Sequence, residues 1–216
     1  MSISFNEVPG NARVPGVYIE IDNRLANNAE QQQSVLVIGN ALVAGGIVPV
    51  TPANTPILCM NKDIAIKQFG LNSQIATMMA YIDKQHITLP IYAISVADAD
   101  LMAALASLGD TQYHHIICAL NDDTSIRDLG EFLEARYDAL QMIPGLAYVP
   151  KKGTHAELVT FGSQSNCPLI SFMSINHLGN SANERLSDAE ALAAWAGQIA
   201  QSLANDPCRP LQTLTL

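Results

Sequence analysis

The stretch Ser34-Val35-Leu36-Val37-Ile38-Gly39 (SVLVIG) places four apolar residues in a row and stops at a glycine. A strand with one wet face alternates apolar and polar residues. A strand covered on both faces has no polar side and reads as an unbroken apolar run. Further runs of this kind follow at Ile57 to Met60, Pro90 to Val96, His115 to Leu120, Leu146 to Val149 and Leu169 to Ile175. Helical patterns lie between them. One opens near Asn61 and stops at Gly70. A second spans roughly Ser73 to His86, with Ile75, Met78, Met79 and Ile82 on one face. Asp98 is placed to cap a third, with Leu101, Ala104, Leu105 and Leu108 inward and Gly109 as terminator. A fourth carries Ile126, Leu129, Leu133, Arg136, Tyr137 and Leu140 at a 3.6-residue spacing. Thr154 with Glu157, and Ser187 with Glu190, have capping-box spacing, the latter ahead of Leu192, Trp195, Ile199 and Leu203. This β–α order predicts an α/β fold: a mostly parallel sheet flanked by helices on both faces.

Upstream of Ser34 the pattern changes. Pro9, Gly10, Pro15 and Gly16 precede an alternating stretch, with Val17, Ile19 and Ile21 on one side and Tyr18, Glu20 and Asp22 on the other. That period of two is the mark of a half-covered strand. The polar run Leu25 to Gln33 separates it from the body. The expected organisation is an extended N-terminal arm with one strand and a linker (1–33), an α/β core (34–205) and a connector (206–216). A short extra strand is expected around Ile47 to Val50, within the glycine- and proline-bearing segment Gly39 to Thr55.

Composition narrows the function classes. The chain has 216 residues, enough for one large domain with a real core. Its 11 Lys and Arg are scattered and its formal net charge is −9, so no basic stripe exists for a phosphate backbone and nucleic-acid binding is not expected. Charged residues make up only 14% of the chain, below the usual quarter, which hints that part of the surface is covered in an assembly. Cys59, Cys118, Cys167 and Cys208 show no CxxC spacing, and three of them sit in apolar runs as small core residues. Neither a disulfide framework nor a zinc site is suggested. Met1 to Val8 has no basic and apolar signal pattern, and no apolar run reaches membrane-spanning length, so a reducing cytoplasm is the expected setting.

Chemistry in an open parallel sheet belongs beyond the carboxyl ends of its strands. Asp98 and Asp100 follow one strand there, and Asp122 and Asp123 follow another. Paired acids of this kind suit Mg²⁺, and a Mg²⁺-dependent hydrolase using Asp98 with Asp122 or Asp123 is the alternative reading. The simpler expectation is that they cap the next helices. Gly39, Gly45 and Gly46 follow a strand but lack both the Lys-Ser/Thr pair of a P-loop and GxGxxG spacing. No GxSxG elbow occurs, and Ser163 falls near a helix end. His86, His155 and His177 stand apart, and His114 and His115 are adjacent, which in a strand sends them to opposite faces. All five read as structural. No catalytic residue, cofactor site or metal site is expected.

The arm carries the most specific signal. The stretch 13–22 (RVPGVYIEID), preceded by ISFNEVPGNA, resembles the N-terminus of Mu-like contractile phage tail sheath proteins. The segment 206–214 (DPCRPLQTL) resembles a second segment of the same family. The resemblance implies a structural, non-enzymatic subunit that polymerises in rings around a tail tube. Triggered by a baseplate, the sheath contracts to drive the tube through the host envelope for genome ejection. It implies assembly in the host cytoplasm and residence in the virion tail of a phage or prophage. The partners implied are other sheath subunits, the tube protein and the baseplate, with no nucleic acid and no membrane. Terminal arms in the family add strands to neighbouring subunits. Val14, Val17, Tyr18, Ile19, Glu20 and Ile21 are the expected inter-subunit strand, because an alternating strand on a Pro/Gly-flanked tether suits β-augmentation. The same residues are also compatible with an edge strand of their own domain. Family members run longer, with a further domain and a C-terminal arm, so the resemblance is to an N-terminal portion with the C-terminal part absent. Their cores have been likened to subtilisin in topology, but no matching triad motif occurs here.

Overall fold

The structure, a computed structural model, describes residues 33–42, 49–97, 100–139, 141–174, 186–208 and 210–214. Its centre is β1 (Val35–Gly39), buried at all five positions. β1 pairs in parallel with β3 (Ile91–Ser95) on one side and with β4 (His115–Cys118) on the other; Val35 lies opposite both Ile91 and His115. β5 (Leu146–Pro150) and β6 (Ile170–Met173) extend the parallel sheet beyond β4. β2 (Ile57–Leu58) closes the opposite edge, antiparallel to β3. The order is β2-β3-β1-β4-β5-β6. The sheet is therefore mostly parallel, as the apolar runs predict.

The alternation of side chains along β1 divides the core into two layers. Val35 and Val37 face α1 (Lys62–Phe69), α2 (Gln74–Lys84) and α6 (Asp188–Asn205). Leu36 and Ile38 face α3 (Leu101–Ala106) and α4 (Asp123–Tyr137). α5 (His155–Ser165) lies on this second side, where Phe161 packs edge-on against Phe172 of β6. Helices thus cover both faces, and a strand in the middle must be apolar on both.

Helix starts follow local chemistry. Asn61, Ser73, Asp100, Asp122, Thr154 and Ser187 each accept a backbone N–H of the first turn, and the two predicted capping boxes are both formed. α6 packs mainly through small residues: Ala189, Ala191, Ala193, Ala196, Gly197 and Ala200 are among its buried positions. Small side chains bring its backbone close to α2, and Gln198 and Gln201 then donate to Gln85 Oε1 (2.7 Å) and accept from the Thr88 N–H (2.8 Å), respectively.

The structure corrects several local expectations. The run Ile57 to Met60 is not a strand buried on both faces. Only Ile57–Leu58 pairs, at the sheet edge, and Leu58 and Met60 are exposed because no further strand among the described residues covers them. α3 is capped by Asp100 rather than Asp98, since the helix begins at Leu101; Asp98 lies outside the described residues. Tyr137 does not join the buried stripe of α4. It is the last helical residue and overhangs the end of the core, 64% exposed. Arg136 is buried there instead, donating to Gly109 O and Thr111 O at 2.5 Å each while its guanidinium lies over Phe132. Leu140 lies outside the described residues, as does most of the expected extra strand; Val50 is described and is an exposed bend.

Two glycines are expected to respond differently to alanine. A Cβ on Gly145 would sit 2.6 Å from the Tyr113 carbonyl oxygen, a backbone atom that cannot move without disturbing the entry to β4. A Cβ on Gly197 would sit 2.5 Å from Ile87 Cδ1, the end of a flexible side chain that can turn aside, with Ile82 Cγ1 at 3.8 Å, and a helix-interior glycine gains from alanine. Urea denaturation should show Gly145→Ala destabilised by about 2 kcal/mol or more, and Gly197→Ala within about 1 kcal/mol of wild type.

Candidate functional site

Of the acids expected at the carboxyl end of the sheet, Asp100 follows β3 and Asp122 and Asp123 follow β4, each with its own local partner, and Asp98 lies outside the described residues. Asp122 Oδ2 accepts the Ser125 N–H at 2.9 Å and caps α4. Partial burial alone would raise the Asp122 carboxyl, but the Ser125 donors outweigh it and hold the group below its usual range. Asp123 pairs with Lys151, whose ammonium also donates to Asn121 O (3.3 Å) and lies over the Phe161 ring. Asp100 Oδ1 accepts the Ala103 N–H at 3.2 Å. A divalent cation at Asp122 and Asp123 would have to displace a helix cap and an ammonium. No group of three or more metal-ligating side chains occurs among the described residues.

The phosphate position of a doubly wound sheet is also filled from within. The Asn40 N–H donates to Gln74 Oε1 (3.0 Å), and the Gln74 N–H donates back to Asn40 O (3.1 Å). Ser73 Oγ takes the Ala76 N–H (3.1 Å). The Gln74 and Ala76 N–H groups at the start of α2, which could otherwise bind an anion, are thus already used.

The amino end of the sheet is built differently. Ser34, immediately before β1, donates its N–H to His114 Nδ1 (3.2 Å) and its hydroxyl to Gln112 O (3.0 Å). Its carbonyl accepts the N–H groups of both His114 and His115, at 3.1 Å each. Gln33 Oε1 lies 2.9 Å from His115 Nε2, and Tyr148 Oη lies 3.1 Å from His115 Nδ1. With an amide oxygen on Nε2, that nitrogen carries the proton, and Nδ1 accepts from the tyrosine hydroxyl. The His115 and Tyr148 rings are nearly parallel, and Trp195 of α6 meets Tyr148 edge-on. As expected, the two histidines diverge: His115 faces the α6 layer beneath Tyr148, and His114 turns to Ser34. Sequence reading treated both as isolated structural residues. The polar pair Gln33-Ser34 ahead of an apolar strand was the available signal that they have partners.

Beside this cluster lies an apolar groove in two connected hollows of about 480 and 360 Å³, sharing Leu146, Leu169 and Leu203. Trp195 and Leu211 line the first; Gln33 and Pro207 both line the second. The first and last parts of the core therefore meet at one place. The expected inter-subunit strand residues Val14, Val17, Tyr18, Ile19, Glu20 and Ile21 lie outside the described residues.

Burial depresses the His115 imidazole to about 4, with His114 adding to the shift, and raises the Tyr148 hydroxyl. Burial also lowers His114. An unfolded histidine titrates near 6.5, so between pH ~6.5 and ~4 the unfolded chain binds a proton that the folded one refuses. The stability due to neutral His115 is complete above pH ~6.5 and is lost on acidification to pH ~4, about 3 kcal/mol in all. Urea denaturation at pH 7.5 and 4.5 should show His115→Phe losing less stability over that interval than wild type. Equal losses would contradict the assignment.

No protein-family model matches the chain. Among curated proteins it is similar to the Mu-like prophage FluMu tail sheath protein of Haemophilus influenzae, with 29% identity over 176 residues. The match covers 82% of this chain but 34% of the relative, so the chain spans about a third of that protein's length. Over most of its length, then, the chain is similar to a Mu-like tail sheath protein, the family that its two terminal segments resemble.

Proposed function

We propose that this chain is the N-terminal part of a structural subunit of a contractile phage or prophage tail sheath. The similarity to a tail sheath protein carries the reading. Three features support it. The low charge content suits a surface largely covered by neighbours. The acids at the carboxyl end of the sheet serve as helix caps and an ion pair rather than as a reactive set. Gln33 and Pro207, near the two ends of the core, line the same hollow.

In this reading residues 1–33 are an arm and linker, 34–205 the core and 206–216 a connector. Val14, Val17, Tyr18, Ile19, Glu20 and Ile21 pair with the sheet edge of a neighbouring subunit, using main-chain hydrogen bonds for strength and alternate side chains for register. Subunits assemble in the host cytoplasm into rings around the tail tube and join the virion tail. Contraction on a baseplate signal drives the tube through the host envelope for genome ejection. The role is architectural, with no catalytic step.

Electron microscopy of the complete gene product should show rings or tubes, and Tyr18→Pro, which removes a strand N–H, should abolish them while leaving the monomer folded. A wild-type protein that stays monomeric at high concentration would overturn the sheath reading. Tubes formed equally well by the proline variant would overturn the shared strand.

A further inference from the structure

A segment that leaves a domain transmits force to whatever element it is attached to. Residues 1–32 are attached, through Gln33 and Ser34, to the strand at the middle of the sheet. β1 has a parallel partner on each side and a helix layer on each face, so it has no free edge from which it can be unzipped. Tension along it must shear its hydrogen bonds to β3 and β4 together. Its entry is tied further by bonds outside the ladder. Val35 N–H donates to Pro90 O (2.9 Å) on one side. On the other, Ser34 bonds to Gln112, His114 and His115, and Gln33 bonds to His115. His115 in turn rests on Tyr148 of β5, which packs on Trp195 of α6.

The opposite end of the core is attached to a different kind of element. α6 lies on one face of the sheet, held by side-chain packing and by glutamine contacts to Gln85 and Thr88. α6 is well buried along one side, but it has no ladder hydrogen bonds to a neighbour, so tension on its end peels it from the core one turn at a time instead of loading every bond at once.

We propose that Gln33, Ser34, His114 and His115 form a tension anchor, which passes force arriving through the N-terminal arm onto the central strand in shear, so that the core resists pulling from this end far better than from its C-terminal side. The proposed function enters only in naming neighbouring subunits as the source of the force. The mechanical asymmetry belongs to the single chain.

An ATP-driven unfoldase–protease tests it by pulling the whole chain from a degradation tag placed at either terminus. Forced unfolding is governed by the unfolding barrier along the pulled direction. Degradation from the N-terminal tag should be at least about tenfold slower than from the C-terminal tag. His115→Phe keeps the ring packing and removes both of its hydrogen bonds, so it should speed N-terminal degradation several-fold and leave the C-terminal rate within about twofold. The double variant Gln33→Ala, Ser34→Ala, which leaves every apolar core side chain in place, should do the same. Equal rates from the two ends would overturn the anchor. So would variants that accelerate both directions alike, since that is the mark of general destabilisation. These rates are read on monomers, so failure of subunits to assemble does not alter them.

Discussion

β1 is closed on every side, and the rest of the fold is arranged to close it. Its four apolar side chains are fully buried, and their alternation sends two to each helix layer. Both edges are paired, so each backbone N–H and C=O that has left water finds a partner in β3 or β4. Two helix layers are needed because both faces are apolar. Parallel neighbours in turn require crossover connections, which supply those helices. The outer strands feel this constraint less. β6 is only partly buried, and β2 is reduced to two residues.

Most of the framework was legible because burial on two faces leaves a continuous apolar run, and because caps are written in adjacent residues. Ser73, Asp122, Thr154 and Ser187 announce their helices with the N–H groups they accept. The edge run Ile57 to Met60 misled, since an apolar run does not say whether a partner lies beyond it. The expected Asp98 cap also misled, because two aspartates two residues apart in sequence are equally good caps by type and only backbone geometry selects Asp100. The buried face of α6 was under-read for another reason. Its contact with α2 is made by alanines and a glycine, whose value is closeness rather than bulk. The partners within the cluster at the start of β1 could not be paired from sequence, because Gln33, His115 and Tyr148 are brought together by strand register and not by sequence spacing.

The two ends of the sheet have contrasting chemistry. At the carboxyl end, where α/β enzymes keep their ligands, the polar groups satisfy helix termini and one lysine. At the amino end, buried polar groups hold the start of β1, next to an apolar groove. In the proposed role, joining a subunit to its copies needs firm attachment more than a reactive cleft. The similarity to a tail sheath protein and the placement of the polar network support the same reading.

With both edges paired and both faces covered, β1 should be the part of the core that opens last. Amide hydrogen exchange of Val35 to Gly39 under native conditions measures this directly. These amides should be among the slowest in the chain, exchange only through global unfolding, and follow the denaturant dependence of the whole protein. Exchange through local opening, at rates near those of the surface helix α5, would contradict it.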